Sequence, residues 1–538
     1  MKGKILNMNI CFVNTFLSLS MKTLPIGLEI LSHILNEKSK HNSMVIDFNY
    51  LNRTLFKENI YSEENYNTIV EYILKSDTDV VSFYTLCDSY HISLVVAKEL
   101  KKRKQSLKII FAGPHASMLA TRTLEEFDFI DLVAIGEGES YIIDLMDGIE
   151  KKDLTKVPSI CYRDSSGSIM KNKECELIEN LDDLPIIPYK DEKKIADIVP
   201  FQIEVGRGCP FNCTYCSTKT FWKRNFRIKS VDRIIEEVKF YRDNYNKDTF
   251  DFVHDLFTAN RQFIEDFCEK VIKSDLKITW KCSSRADVLD EDLIELMAKA
   301  GCYSIYVGIE TGSQRMQYEV KKNLDLIKTR EIIDLIKKND MGVLASVIYG
   351  FPTETVDDLK QTIEFIRYMM EEQLVDNCTL NLCAIVPGTE LFNSYHHKLV
   401  FDDEKNSYSL GAVNVSRHKE LIKKYPEFFS EFYSYENEVT LTYPKLDIFM
   451  NILYPSMLYY LPETFYYILE EYNDDLLELY FNTQNIIPSI ENLINELFLE
   501  KIEFITLRIK SILLLEDLIN IMPDTIKKSY KNEISNLN

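Results

Sequence analysis

The sequence predicts an α/β protein: an N-terminal doubly wound parallel sheet, then a partial (β/α)6 barrel of the TIM type, then a helical C-terminal region. Three observations carry this. Short, near-continuous apolar runs alternate with amphipathic helical stretches from the start to about residue 140. The alternation resumes with longer helices from about 200 to 390. Beyond roughly 400 the apolar residues recur only at helical spacing.

The 538 residues are 46% apolar and 27% charged, an ordinary globular composition that suggests about three or four domains. Lysine and arginine number 63 against 84 aspartates and glutamates. The resulting −21 repels nucleic acid and anionic membrane surfaces from most of the exterior, although a local basic patch is compatible with it. No apolar stretch approaches the roughly 18 residues of a spanning helix. The opening MKGKILNMNICFVNTF runs into a strand pattern without a small-residue cleavage site, so a soluble cytoplasmic protein is expected. Twelve cysteines are too few for a disulfide scaffold.

In the front unit, NICFVNT, SMVIDFN, TDVVSFYT, LKIIFAG and FIDLVAIG read as strands, with IGLEILSHILNEKSK and ISLVVAKELKKRKQ among the helices between them. Strands this apolar belong to a parallel sheet covered on both faces. Ligands of such sheets bind beyond the carboxyl ends of the strands, here the loops 15–25, 85–90, 113–117 and 136–139. PSICYRDSSGSIMKN reads as a hairpin with a Ser-Gly turn, and LDDLPIIPYKDEKK as a connecting strap. FQIEVGR, TFDFVHD, KITWKCSSR, YSIYVGIE, VLASVIYGF and TLNLCAIV then supply about six strand-helix units, two short of a closed barrel. The Tyr-, Phe- and Leu-rich helices after 400 are expected to pack on the barrel or form their own core; gripping a substrate is the alternative. The expected units are 1–145, 146–198, 199–395 and 396–538.

Cys209, Cys213 and Cys216 stand in VGRGCPFNCTYCSTK, just after the first barrel strand. Structural zinc takes four protein ligands, and the next histidine along the chain is His254. Three thiolates suit an iron–sulfur cluster with one iron left open to a non-protein ligand. The remaining barrel cysteines, Cys268, Cys282, Cys302, Cys378 and Cys383, read as buried apolar fillers.

C-x-x-x-C-x-aromatic-C, with Tyr215 as the aromatic, on such a loop resembles the radical S-adenosylmethionine (SAM) superfamily. The resemblance implies a four-iron four-sulfur cluster on the three cysteines, with SAM chelating the fourth iron and cleaved to methionine and a 5′-deoxyadenosyl radical. It also implies SAM contacts for Asp255 in TFDFVHDLFT, although the glycine pair followed by Glu common elsewhere in the superfamily is missing there. In WKCSSRAD it points to Ser283 and Arg285, the arginine pairing with the SAM carboxylate or lying in a surface ion pair. Glu310 at the end of YVGIE would meet the ribose or amino-acid part of SAM. Gly350, with Pro352 in YGFPTET, would let backbone approach adenine, or serve as an ordinary turn.

The front unit resembles the cobalamin-binding domain of cobalamin-dependent radical SAM enzymes. The resemblance implies that Ser82 and Thr85 contact the nucleotide loop, that Gly113 admits that tail, and that Gly136 and Glu137 face the barrel. The Asp-x-His-x-x-Gly motif of other cobalamin proteins is missing, which implies a cobalt without a histidine below it; His91 reads as a helix-start residue. The implied activity is methyl transfer to an unactivated carbon or phosphorus of a peptide or small natural product. One SAM would methylate cobalt and a second would generate the radical, with an electron donor such as flavodoxin or ferredoxin as partner. The alternatives are a non-methylating cyclisation, rearrangement or oxidation, or a front sheet that has lost cobalamin and docks a partner. A methylthio-transferring enzyme needs a second cysteine trio, and Cys11, Cys87 and Cys161 are too scattered to form one.

Overall fold

Apolar strands that need cover on both faces organise the front of the molecule. In the computed structural model, which describes residues 7–15, 23–54, 63–401, 412–498 and 503–537, five parallel strands form that sheet. They are β1 (Asn9–Asn14), β2 (Asn42–Asp47), β3 (Val80–Tyr84), β4 (Lys108–Ala112) and β5 (Leu132–Ala134). Alternate side chains serve opposite cores. Ile10, Phe12, Val80 and Ile110 pack with helices Ile26–Lys38 and Ile142–Lys151. Cys11, Val13, Val81 and Phe111 pack with helices Glu63–Lys75 and Tyr90–Arg103 on the other side. The hairpin β6 (Ile160–Arg163) and β7 (Ile169–Lys171) forms as expected, and it extends the sheet antiparallel from β5. The strand order 2-1-3-4-5-6-7 reverses direction at β1 and β3, which places a crevice beyond their carboxyl ends.

The strap joins the two units into one core. Leu181, Leu184, Ile187 and Tyr189 are buried in the cluster that also holds Phe201 and Tyr241. Beyond it, β8 (Phe201–Glu204), the short antiparallel pair β9 (Gly206–Arg207) and β10 (Arg227–Ile228), and β11 (Thr249–Val253) follow in order. Then come β12 (Thr279–Ser284), β13 (Cys302–Glu310), β14 (Gly342–Tyr349) and β15 (Asn377–Leu382). β8 and β11 to β15 form a six-stranded open parallel sheet in the order 8-11-12-13-14-15. Phe250, Phe252, Trp280 and Cys282 face the surrounding helices and are buried. The inner face is polar: Gln202 registers with Asp251, Asp251 with Lys281, and Ser283 with Tyr306.

An open barrel leaves an edge, and the C-terminal region covers it. Asn451, in the π-helical turn Phe449–Leu453, accepts from the Leu380 N–H at 2.7 Å and donates to the Leu380 carbonyl at 2.8 Å, standing in for a missing strand. Phe449, Tyr454, Phe465 and Tyr480 are buried around this contact. The segment around 418–433 goes elsewhere: Phe428 stacks on Tyr90 of the front unit and the Phe429 ring packs tilted against it, because its three phenylalanines find their apolar cover there. Residues 16–22 of the first expected binding loop, and 499–502 of the expected C-terminal helices, lie outside the described residues. No helix among the described residues is long and apolar enough to cross a membrane.

Replacing Asn451 by leucine strands a buried N–H and a buried carbonyl. The expected loss is about 2–4 kcal/mol, read as a lower urea midpoint for Asn451→Leu than for the wild type.

Candidate active site at the strand ends

The three cysteines sit on a loop that the fold pins at several points. Gly208, at φ +93°, opens it, and a Cβ there would collide with the Asn225 carbonyl. Asp255, from the end of β11, clamps it: one carboxylate oxygen accepts from the Gly208 N–H at 2.7 Å and the other from the Thr218 hydroxyl at 3.2 Å. The Thr214 N–H donates to the Val320 carbonyl at 3.0 Å, and the Tyr215 ring packs 5.9 Å from Phe351. Burial pushes the thiols of Cys209 and Cys216 up, with the Thr218 hydroxyl offsetting part of this at Cys216.

Three thiols on one loop fall short of the four protein ligands of structural zinc and suit a multi-iron cluster with one iron left open. Among the described residues, His41, Asp147 and Glu150 are close enough for one ion. There the His41 Nδ1 accepts from Met8, its Nε2 contacts Asp147 at 3.0 Å, and Lys40 sits on both carboxylates.

The other expected SAM contacts divide. Ser283 lies on the inner face beside the half-exposed Tyr306. Glu310 ends β13 at φ +72°, at a register shift, and is buried in an ion pair with Lys322 at 3.0 Å. A left-handed Glu there is held by its surroundings, as strained residues at functional sites are. Gly350, at φ +80°, makes the expected turn, where a Cβ would press on Leu382 at 2.7 Å and Thr440 at 2.9 Å. Both Asp255 oxygens are engaged with the cluster loop. Arg285 is engaged likewise, with Asp287 at 2.8 and 2.9 Å, the Lys322 carbonyl at 2.6 Å and the Cys213 sulfur at 3.9 Å.

A cavity of about 630 Å³ separates the strand ends of the two sheets. Ser82, Gly113, Gly136 and Glu137 line it from the front unit, and Arg207, Thr218 and Asp255 from the barrel. Gly136, at φ +72°, has open space where a Cβ would be. Thr85 lies behind this wall: it is fully buried, and its hydroxyl donates to the Ala112 carbonyl at 2.8 Å and accepts from the Ala116 N–H. Gly113 crosses so close that a Cβ would meet the Thr85 carbonyl at 2.8 Å. His254 lines the cavity, yet its Nδ1 accepts from the Leu256 N–H and its Nε2 bonds the Arg227 carbonyl, so neither nitrogen is free to bind a metal. His91 lies outside the lining, buried against His418 at 2.6 Å.

Sequence reasoning named Glu137 but missed its partners Arg207 and Arg227, and it missed Glu354 altogether. Glu137 pairs at 2.7 Å with Arg207 and at 2.9 Å with Arg227, and Arg207 also holds Glu139 and Glu204. Burial works to raise the Glu137 carboxyl, but these two arginines keep it below its ordinary range. Glu354 accepts from the N–H groups of Gly350 and Phe351 and fixes the Gly350 turn. Burial pushes its carboxyl up to about 8. The available signal was an acid four residues after Gly350 at a helix start.

Residues 203–366 match the family described as the radical SAM superfamily. That stretch of the chain is a radical SAM domain. The chain is 29% identical over 373 residues to an uncharacterized methyltransferase of Pyrococcus horikoshii, covering 68% of the chain and 77% of that protein. It is 27% identical over 370 residues to the anaerobic magnesium-protoporphyrin IX monomethyl ester cyclase of Rubrivivax gelatinosus, across 65% of the chain and 64% of the cyclase, just under two thirds of that relative's length. Among solved structures, the cobalamin-dependent S-adenosylmethionine radical enzyme OxsB, with aqua-cobalamin and S-adenosylmethionine bound, matches at a TM-score of 0.65 and 16% identity. That likeness covers 98% of this chain and 84% of OxsB, so the shared fold includes front sheet, barrel and helical tail.

Two outcomes follow from the site. Asp255→Ala removes the loop clamp and should weaken cluster retention about 10-fold or more, read as iron remaining after a chelator challenge. A raised carboxyl pKa means that folding favours the neutral Glu354. Its contribution is full below the ordinary carboxylate range and lost as pH rises towards about 8. Glu354→Gln should therefore lose less stability between about pH 5 and about 8 than the wild type, by on the order of a few kcal/mol, read from paired denaturation midpoints.

Proposed function

We propose that this protein is a cobalamin-dependent radical SAM methyltransferase acting on an unactivated carbon or phosphorus of a peptide or small natural product. The observation that carries the reading is the cavity between the two sets of strand ends, walled on one side by the loops of a doubly wound sheet and on the other by the cluster loop. The methyltransferase name of the archaeal relative and the aqua-cobalamin and SAM named for OxsB support it. When bound, the cluster and SAM supply a 5′-deoxyadenosyl radical and the corrinoid supplies a methyl group.

The residues of this chain take positioning roles. Cys209, Cys213 and Cys216 would hold three corners of the cluster, leaving the fourth iron for SAM. Asp255 and Tyr215 fix the loop that carries them. Glu310 and Ser283 face the SAM side from neighbouring strands, and the Gly350 turn offers backbone to adenine. Ser82, Gly113 and Gly136 leave room for the corrinoid on the front wall, with Glu137 tying that wall to the barrel. The engagement of both His254 nitrogens supports a cobalt without a protein imidazole. The polar inner face, with Asp251 and Lys281 paired at 3.1 Å, orients a substrate that carries polar groups. A low-potential electron donor such as flavodoxin or ferredoxin completes the requirement.

The cyclase relative favours a second reading, a radical oxidation or ring closure without methyl transfer. Anaerobic protein reconstituted with iron, sulfide and hydroxocobalamin separates the two. Methyl transfer predicts corrinoid absorbance that survives desalting and, with SAM and reductant, both S-adenosylhomocysteine and 5′-deoxyadenosine. Formation of 5′-deoxyadenosine without S-adenosylhomocysteine would support the second reading, and failure to retain corrinoid would remove cobalamin from both.

A further inference from the structure

We propose that Arg285 raises the reduction potential of the cluster held by Cys209, Cys213 and Cys216, by donating a hydrogen bond to the Cys213 sulfur and keeping a buried cation beside it. The proposal rests on reading those cysteines as ligands of an iron–sulfur cluster. It assigns Arg285 a task other than pairing with the SAM carboxylate.

The geometry argues this donor by donor. A guanidinium has five N–H groups in a fixed plane. Nε and one Nη2 hydrogen form a two-pronged pair with Asp287 at 2.9 and 2.8 Å, and the second Nη2 hydrogen goes to the Lys322 carbonyl at 2.6 Å. One Nη1 hydrogen points to the Cys213 sulfur at 3.9 Å. A single N–H remains. A carboxylate ligand is best gripped by two parallel donors, which this arrangement does not offer.

The fourth contact fixes the plane. The guanidinium carbon lies 3.7 Å from the centre of the Phe211 ring, and Phe211 stands between Cys209 and Cys213 on the cluster loop itself. Arg285 is 4% exposed, so solvent screens its charge little. The side chain is therefore held from three sides, by the turn after β12, by the segment around Lys322 and by the cysteine loop. Its charge is directed at the loop.

The sign follows from the couple. The cluster takes up one electron from a low-potential donor and passes from its 2+ to its 1+ state, so the reduced form carries one more negative charge. A nearby cation and an N–H bond to a ligating sulfur both stabilise that form. Asp287 works the other way, because its carboxylate partly neutralises the guanidinium.

The test is an EPR-monitored redox titration of the reconstituted, SAM-free protein, with a titanium(III) chelate as reductant. Arg285→Met should lower the ratio of reduced to oxidised cluster at a fixed potential by tenfold or more, a downward midpoint shift of about 59 mV or more for a one-electron couple. Arg285→Lys keeps the charge without the fork and should shift less, in the same direction. Asp287→Asn removes the counter-charge and should move the midpoint upward, which gives a reading even where Arg285→Met assembles no cluster. An unchanged midpoint in an intact Arg285→Met cluster overturns the proposal, and so does a midpoint of Asp287→Asn that stays or falls. Weakened SAM binding with an unchanged midpoint overturns it in favour of carboxylate pairing. If wild-type protein yields no iron, sulfide or EPR signal, the cluster reading has failed instead.

Discussion

The structure depends on a buried ion network across the seam between its two sheets. Arg207, two residues before the first cluster cysteine, meets Glu137 and Glu139 of the front unit and Glu204 at the end of β8. Arg227 joins at Glu137, and the Trp222 ring lies 5.8 and 5.4 Å from the two guanidinium groups. Taking such charges out of water is costly unless they are paired, and both arginines pair with Glu137, which also accepts from the Ile178 N–H, while Nε and Nη2 of Arg227 are left without a hydrogen-bond partner. The consequence is positional: the loop bearing Gly136 cannot move without the strand that launches the cysteine loop.

Around this seam the architecture follows one rule, that parallel sheets bind ligands beyond their carboxyl edges. Two such edges face each other, which turns two ordinary crevices into one shared cavity. The strap contributes by burying Leu181, Leu184 and Ile187 in the core common to both units. On the far side, the barrel stays open at β15 because a polypeptide side chain, Asn451, satisfies the strand edge that a seventh strand would otherwise pair. Openness on the inner face and closure of the backbone are thus reconciled by the C-terminal region.

How much was legible in advance depended on the range of the interaction. All five front strands, the Ser-Gly hairpin and all six barrel strands were readable, because short apolar runs set between helical periodicities and turn residues are a local signal. The cysteine trio stood out for a related reason, since three thiols on one short loop form a pattern that needs no long-range partner. Gly350 was readable because a left-handed turn favours the one residue without a Cβ. Thr85 was read as a ligand contact, and its hydroxyl instead ties two strand ends together, a distinction between neighbouring atoms that no letter encodes.

The sequence by itself determined the secondary elements, their parallel arrangement and the gathering of three cysteines on one loop, because each rests on periodicity or spacing over a few residues. Tertiary structure alone decided which charges meet. Glu137 and Arg207 are 70 positions apart, Arg285 and Cys213 are 72, and Asp255 lies 47 beyond the Gly208 it holds. Charged side chains are compatible with solvent anywhere on a surface, so their letters do not say whether folding will leave them there. Only the packing of strand ends against each other removes the water and makes a specific partner obligatory.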